Sequence, residues 1–215
     1  MNYVITTVSE KDFLKLGISW LSSLFDFSFY EDDIILIDFG LSDSTKKKLL
    51  NNGIIVLDNV NNCLISSLKD FVLKNKGIYA YWDLSCVFQD NINEIFKICE
   101  NKILYTKKNG FFAFDSKIFN LFYSIFELCS FLEIDCDSFF EYYKESFLLE
   151  DKWNCTNIGA LNDIQTKLCF NNEIQIVLNY KNQHKNLLGK NLLFWERNKD
   201  CYEFYLEKFK KIKSY

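Results

Sequence analysis

The 215-residue sequence contains no proline, one histidine and only seven glycines. No glycine lies in a G-x-G-x-x-G or Walker A pattern, which excludes the dinucleotide and P-loop fingerprints. The single histidine, and the lack of a C-x-x-C pair among eight cysteines, excludes the usual zinc patterns. The net charge is −4, so no domain-wide basic field is present for a nucleic-acid backbone. We therefore expect no nucleic-acid partner.

Long apolar runs are also absent. No run approaches the length that spans a bilayer, and the first residues, "MNYVITTVSEKD", lack a basic n-region and an adequate h-region. These features predict a cytoplasmic protein with no transmembrane segment, which a partner could hold at the inner face of the membrane. Several cysteines lie inside apolar runs, as Cys129 does in "IFELCSF". We expect free, buried thiols in a reducing compartment.

The first half of the chain alternates between strand and helix patterns. Apolar, β-branched runs predict strands at Tyr3–Val8, Ile34–Asp38, Ile54–Leu57 and Gly77–Trp82. Helical spacing predicts a helix from Glu10 to about Phe25 with Ser9 as its N-cap, and helices at Asn62–Lys74 and Asn91–Cys99. A further helix, capped by Ser42 or Ser44, ends near Asn52, where Gly53 fits the C′ position. This alternation predicts an α/β fold: a mostly parallel, Rossmann-like sheet flanked by helices on both faces.

The second half has a different pattern. Two short strands, Ile103–Thr106 and Phe111–Phe114, flank the turn "KKNG". The later segments are predicted as helices at Ser116–Phe131, Ser138–Phe147 and Lys199–Ile212, with strands at Ile174–Asn179 and Leu192–Trp195. No linker is visible, so residues 1–215 are predicted to form one domain with a mainly helical half from 116 to 215. The basic last helix is either a solvated helix end or a weak anchor for anionic lipid.

Polar residues follow several of the predicted parallel strands. Thr6 and Thr7 end the first strand, Asp38 ends the second and Asp83 follows the fourth. In open α/β sheets ligands bind beyond these carboxyl ends. Threonine hydroxyls can bond a base or ribose, and a carboxylate can accept from ribose hydroxyls or bind a divalent metal. Each aspartate also has a structural alternative, as an Asx turn or a cap for the next helix.

The tripeptide Asp38-Phe39-Gly40 matches one short motif of protein kinases. No glycine-rich loop precedes it, and no His-Arg-Asp catalytic loop is present. The kinase interpretation is therefore excluded.

Three segments together resemble a known family. "VITTVSEKDFLKLGISWLSSL", "IILIDFGLSDSTKKKL" and "YAYWDLSCVFQDNINEI" look like the nucleotide-sugar-binding half of GT-A glycosyltransferases, in particular family 8-like enzymes of bacterial surface glycans. The resemblance covers residues 3–98, and "IDFGLSDSTKKKL" is its most specific part. It implies a GT-A-like fold in which residues 1–115 bind the nucleotide sugar and residues 116–215 form the acceptor side. The implied activity is transfer of a sugar, from a UDP-linked donor, to a glycan or lipid-linked glycan acceptor.

The sequence departs from the family at the metal-binding motif. Asp83-Leu84-Ser85 stands where the family carries Asp-x-Asp, which implies a metal role for Asp83 and a nucleotide-sugar contact for Asp83 and Ser85. Ser85 is a neutral and poorer ligand for Mn²⁺ or Mg²⁺. The metal site is therefore weak, formed with Asp90, or absent. A literal Asp-x-Asp at Asp135 and Asp137 lies between two predicted helices, where Asp137 fits a helix N-cap; it remains the rival metal site.

The segment "WNCTNIGALNDIQTKLCF" loosely resembles the acceptor-side region of the family. The resemblance places Asn157, Gly159 and Gln165 beside the donor sugar. An inverting enzyme needs a carboxylate to deprotonate the acceptor hydroxyl, for which Asp163 is the first candidate and Asp151 the second. A solvent-facing position on a helix is the alternative for Asp163.

The lone histidine lies near the end of the chain. The spacing from His184 to Gly189 and Lys190 differs from the late metal and phosphate element of family 8, and the proline of that element is missing. We interpret His184 as a surface-loop residue. Lys185 and Lys190 remain able to neutralise a diphosphate.

Two other functional classes stay open at the level of sequence. A degenerate relative could bind as a scaffold component of glycan assembly without turnover, which the serine at position 85 favours. An unrelated doubly wound enzyme, such as a small nucleotide-modifying transferase, is the third hypothesis. A strand order unlike that of the GT-A fold would indicate the third hypothesis. Fold alone does not determine function, so it does not separate the first two.

Overall fold

A computed structural model of the chain describes residues 1–26, 28, 30–88, 90–106, 110–132, 146–149, 169–170, 173–174 and 177–179. Its strands are β1 Asn2–Val8, β2 Asp33–Asp38, β3 Ile55–Asp58, β4 Ile78–Trp82, β5 Cys86–Phe88, β6 Ile103–Tyr105, β7 Phe111–Asp115, β8 Ser146–Leu148, β9 Cys169–Phe170, β10 Glu173–Ile174 and β11 Val177–Asn179. Its helices are α1 Glu10–Asp12, α2 Ile18–Asp26, α3 Asp43–Asn51, α4 Leu64–Lys74, α5 Asn93–Ile98 and α6 Phe119–Leu132. A π-helical turn, Phe13–Gly17, joins α1 to α2, and a 3-10 turn, Ser116–Ile118, precedes α6.

The main sheet has seven strands in the order β3-β2-β1-β4-β7-β6-β8. Strands β1 to β4 are parallel to one another, β7 is antiparallel to both of its neighbours, and β8 is parallel to β6. The prediction of a mostly parallel sheet flanked by helices is confirmed. The pairing of β6 with β7 also confirms the short strand pair expected around "KKNG".

Both faces of the sheet are covered, which explains the continuous apolar runs of its central strands. Four successive residues of β2, from Ile34 to Ile37, are all buried. On one face of the sheet, alternate strand residues pack against Trp20 and Leu24 of α2 and Phe96 of α5. The others pack with residues of α4 and α6 on the opposite face. A strand buried on both faces has no solvent side and therefore shows no alternation of polar and apolar residues.

Aromatic side chains link the sheet to α6. The rings of Tyr3 and Tyr79 stack with centroids 4.5 Å apart, and Tyr79 stacks on Phe114 at 5.3 Å. Phe114 in turn stacks on Phe122 of α6 at 4.6 Å. The series crosses β1, β4 and β7, so it fixes the antiparallel strand against the parallel part of the sheet. Of the cysteines that the structure describes, Cys63, Cys86, Cys99 and Cys129 form no disulfide, and all but Cys63 are buried.

Local signals mark the helix ends as expected. The Ser9 side chain accepts a hydrogen bond from Asp12 N, and the Ser42 side chain accepts one from Thr45 N at the start of α3. Gly53 follows α3 with a φ of 79°, the left-handed conformation that favours glycine after a helix. These contacts are short-range, so the sequence predicts them well. In the described part of the chain, no helix is long and apolar enough to cross a membrane.

One predicted helix is wrong where it can be compared. Ser146 and Phe147 were expected at the end of the helix Ser138–Phe147, but they lie in β8. Strand β8 pairs with the edge strand β6, and the Phe147 ring lies 4.5 Å from Lys102 Nζ. A partner about forty residues away in sequence therefore overrides the local helical pattern. The rest of that helix and the predicted segments Leu192–Trp195 and Lys199–Ile212 lie outside the described residues.

The strand predicted at Ile174–Asn179 is present as two short pieces, β10 and β11. Strand β11 pairs antiparallel with β5, just after the turn that carries Asp83. The half from residue 116 onward is therefore helical in α6 and contains short strands beyond it.

Candidate functional site

The carboxyl ends of the parallel strands meet at one edge of the sheet. Val8 is in register with Asp38, and Asp38 with Asp58. Asp83 directly follows β4 on the other side of β1. Neighbouring strands lie about 4.8 Å apart, so the backbones at Asp38 and Asp83 are separated by about 10 Å across β1. The predicted polar residues are thus brought to the same edge.

The Asp83 carboxylate is held by the second residue after it. Asp83 Oδ1 accepts hydrogen bonds from Ser85 N at 2.9 Å and from Ser85 Oγ at 2.6 Å. The short distance to the hydroxyl is typical of a charge-assisted bond to a carboxylate. Ser85 itself is buried, whereas Asp83 is partly exposed. Ser85 therefore orients the Asp83 carboxylate, and its hydrogen bonds to that carboxylate link it to the site.

The backbone of this turn is also fixed. Asp83 N donates to Gly110 O at 2.9 Å, and Cys86 N donates to Asp83 O at 2.9 Å. The preceding residue, Trp82, is fully buried and packs against Phe111 of β7. Two backbone hydrogen bonds and the packing of Trp82 therefore define the turn after β4, which presents one carboxylate at the edge of the sheet.

Thr7 and Tyr81 lie side by side next to the turn that carries Asp83. Thr7 Oγ1 and the Tyr81 hydroxyl are 3.5 Å apart on neighbouring strands, and the Tyr81 ring stacks on Phe112 at 5.0 Å. Burial, and then the negative charge of Asp83, raise the pKa of Tyr81 well above its usual value, so the phenol stays neutral. Tyr81 was missed in the sequence, although its place two residues before Asp83 puts it on the same strand face.

Thr6 points to the opposite face of β1 from Thr7. It is completely buried, and among the described residues its hydroxyl has no hydrogen-bond partner. The two adjacent threonines are therefore not equivalent. Thr7, which is partly exposed, is the one placed toward the Asp83 side of the edge.

Asp38 closes the turn between β2 and α3. Its Oδ1 accepts from Gly40 N at 2.8 Å and Leu41 N at 2.6 Å, and its Oδ2 lies 2.6 Å from Lys46 Nζ. Burial alone would raise the pKa of this carboxyl, but hydrogen bonds from Leu41, Lys46 and Gly40 lower it below its ordinary value. The structural alternative of an Asx turn is thus present. A nucleotide contact by Asp38 stays a prediction.

Glu10 is a second carboxylate near this turn that the sequence did not reveal. It accepts from Ser42 N at 2.9 Å and from the hydroxyls of Ser42 and Thr45 at 3.2 and 2.9 Å. The bond from Ser42 N is the main reason that the pKa of Glu10 is lowered. Glu10 therefore ties the start of α1 to the start of α3. The partners are 32 or more residues apart, and no local spacing signals such a contact.

The described residues do not fit a two-carboxylate metal site at this edge. Where the family resemblance implies a second acidic ligand, Ser85 supplies a neutral hydroxyl that already donates to Asp83. Asp90 Oδ1 accepts from Asn91 N in its own turn. In the part of the chain that the structure describes, no three His, Cys, Asp or Glu side chains come together to hold a metal ion.

Several predicted site residues lie outside the described residues. These are the carboxylates Asp151 and Asp163, the donor-side residues Asn157, Gly159 and Gln165, the rival pair Asp135 and Asp137, and His184, Lys185 and Lys190. Their roles stay predictions.

Comparison with known proteins gives a clear result for structure and none for sequence. No protein-family model matches the chain, and no curated protein is similar to it in sequence. LgtC, in a crystal structure with donor and acceptor sugar analogues, is similar over 94% of this chain and 95% of its own, with a TM-score of 0.61 and 11% identity. The glycosyltransferase GlyE of Streptococcus pneumoniae TIGR4 is similar over 98% of this chain, with a TM-score of 0.65 and 11% identity.

The chain spans 64% of the length of GlyE. The bifunctional glycosyltransferase WbbM is similar over 84% of this chain and 45% of its own, with a TM-score of 0.55 and 12% identity. At these identities the likeness defines the fold. The chain therefore has the GT-A fold, a Rossmann-like sheet of mostly parallel strands flanked by helices.

Proposed function

We propose that this protein is a glycosyltransferase that moves a sugar from a nucleotide sugar, UDP-linked, to a surface-glycan or lipid-linked glycan acceptor. Residues 1–115 bind the donor, and residues 116–215 form the acceptor side. The observation that carries this proposal is the turn at the carboxyl end of β4, where Ser85 orients the Asp83 carboxylate. This edge of the sheet is the expected ligand position in open α/β folds. The similarity to glycosyltransferases over more than 90% of the chain supports it.

The proposed roles follow from the chemistry of each side chain. Asp83 accepts hydrogen bonds from hydroxyl groups of the donor, and Thr7 lies close to the nucleoside. Asp163, with Asp151 as the second candidate, removes the proton from the acceptor hydroxyl. Lys185 and Lys190 neutralise the departing diphosphate.

Further donor contacts are proposed on the basis of the family resemblance. They are Thr6, Asp38, Asn157, Gly159 and Gln165. Of the two that the structure describes, Thr6 is fully buried and Asp38 is engaged by its own turn. We further propose that the protein acts at the cytoplasmic face of a membrane, where lipid-linked acceptors are found.

A turnover experiment tests the proposal. Purified protein is incubated with UDP-, GDP-, CMP- and dTDP-sugars and a mixture of glycan and lipid-linked acceptors, and nucleotide release is measured. We expect release from one donor class, reduced about a hundredfold in Asp83→Asn and by a similar or larger factor in Asp163→Asn. Asp70→Asn, at an exposed position on α4, is the matched control and should retain activity. Equal activity in Asp83→Asn and Asp70→Asn would contradict the assignment of Asp83.

A second candidate function is favoured by one observation, the neutral Ser85 at a position where the family resemblance implies an acidic residue. In that case the protein binds a nucleotide as a scaffold component of glycan assembly without transferring a sugar. Nucleotide binding with no release from any donor would favour this candidate.

A further inference from the structure

The hydrogen bonds of Asp83 bear on how the proposed site holds its ligand. Ser85 donates two hydrogen bonds to the same carboxylate oxygen, one from its backbone N–H and one from its hydroxyl. Both donors come from a buried residue in a turn that Gly110 and Cys86 also fix. These two bonds occupy the lone-pair positions of Oδ1, so a cation or a ligand hydroxyl at that oxygen would have to displace a Ser85 donor, and either would otherwise meet Asp83 at Oδ2.

The charge of the site also differs from that of a two-carboxylate centre. Two neighbouring carboxylates carry a charge of about −2, which a divalent cation compensates. Here the residue two positions after Asp83 is neutral, so the turn carries a single negative charge. A single carboxylate that is oriented by two protein donors is a strong acceptor for hydroxyl groups, but it balances only half the charge of a divalent cation. Among the described residues beside it, Thr7 Oγ1 and the neutral Tyr81 hydroxyl are hydrogen-bonding groups and not hard anionic ligands.

We propose that this site binds its nucleotide ligand without a divalent cation, and that Asp83, positioned by Ser85, contacts ribose or sugar hydroxyls directly. Ser85 is a positioning residue because it acts through Asp83. This inference rests on the proposed function, in that the ligand is a nucleotide or nucleotide sugar. It concerns how that ligand is held and does not concern which sugar is transferred.

The test measures nucleotide affinity by titration calorimetry on the full chain. UDP, GDP, CMP and dTDP are each titrated in excess EDTA and in excess Mn²⁺. For the nucleotide that binds, we expect the Kd in EDTA and the Kd in Mn²⁺ to differ by no more than about twofold. A Kd at least about tenfold tighter in Mn²⁺ would overturn the inference and leave the proposed donor binding intact. Binding of no nucleotide in either buffer would overturn the proposed function and this inference with it.

A variant supplies an independent readout by restoring the second acid. In Ser85→Asp, two carboxylates face each other, so Mn²⁺ should raise the melting temperature of the variant but leave the wild type unchanged. Ser124→Asp, which adds the same charge at an exposed position of α6, is the control and should not respond. Stabilisation of the wild type by Mn²⁺ to the same extent as Ser85→Asp would overturn the inference. If the buried aspartate prevents Ser85→Asp from folding, the wild-type titrations still test the inference.

Discussion

The ammonium group of Lys46 lies 2.6 Å from Asp38 Oδ2 and forms an ion pair at the carboxyl end of β2. The same ammonium is 3.2 Å from Asp58 Oδ1, but the two carboxylates differ in environment: the Asp38 side chain is 11% exposed and the Asp58 side chain 90%. Asp38 also accepts two backbone N–H groups, which stabilise the turn into α3. Lys46 therefore pairs with both the largely buried Asp38 carboxylate and the solvent-exposed Asp58 carboxylate.

This difference predicts unequal effects of removing the two charges. Asp38→Asn should lower the free energy of unfolding by about 1–2 kcal/mol, because the amide can still accept the two backbone N–H groups but loses the partly buried charge that pairs with Lys46. Asp58→Asn should change it by less than about 0.5 kcal/mol, since exposed ion pairs contribute little. Urea unfolding of both variants measures the difference. Equal losses in the two variants would contradict the structural role of Asp38.

The pKa values of Asp38 and Glu10 predict how stability depends on acid. Both carboxyls have a lower pKa in the folded protein than their ordinary values of 3.8 and 4.5. Each therefore contributes stability that is complete above its unfolded-state pKa and is lost as the pH falls through the lower folded-state pKa. The melting temperature should fall as the pH drops below about 4.5. In Glu10→Gln this fall should be smaller; an unchanged pH profile would show that Glu10 is not coupled to folding.

Two phenylalanines differ strongly in burial, so we expect their substitution by alanine to have very different effects on stability. Phe114 is fully buried between Tyr79 and Phe122, whereas Phe131 near the end of α6 is 82% exposed. Phe114→Ala should destabilise the protein by about 3–5 kcal/mol through lost burial and a cavity. Phe131→Ala should change stability by less than about 0.5 kcal/mol. Chemical denaturation measures both, and a larger loss for Phe131 would contradict the packing of α6.

Gly77 predicts a close backbone approach at the start of β4. A Cβ at this position would collide with the backbone oxygen of Met1, which accepts a hydrogen bond from Ile78 N. Gly77→Ala should therefore force the first residues of β1 away from β4 and cost about 1–3 kcal/mol. The neighbouring exposed Lys76 provides the control, since Lys76→Ala should be neutral in the same thermal unfolding experiment. Comparable losses for the two variants would argue against this close approach.

Much of the fold could be predicted because its signals are local. The apolar run from Ile34 to Ile37, the cap at Ser42 and the glycine at position 53 each act within a few residues, and the structure confirms all three. As predicted, Asp38 and Asp83 both lie at the carboxyl ends of parallel strands, the edge where ligands bind in open α/β sheets.

Contacts between distant segments could not be predicted in the same way. Nothing near Glu10 in sequence indicates that it binds Ser42, and nothing near Phe147 indicates pairing with β6. The pairing of Thr7 with Tyr81 depends on the register of β1 and β4, which a single sequence does not fix. The role of Ser85 also required coordinates, because the sequence shows only a missing acid and not the hydrogen bonds that replace it.

The central claim is that the edge around Asp83 binds a nucleotide sugar. The most direct measurement is a thermal shift of the wild type, Asp83→Asn and Asp70→Asn with UDP-, GDP-, CMP- and dTDP-sugars. The account predicts that one nucleotide class stabilises the wild type and Asp70→Asn, by about 2.7 kcal/mol at a hundredfold excess over Kd, and that Asp83→Asn loses this effect. If no nucleotide sugar changes the melting temperature of the wild type, the account is contradicted and Asp83 is a structural residue of the turn.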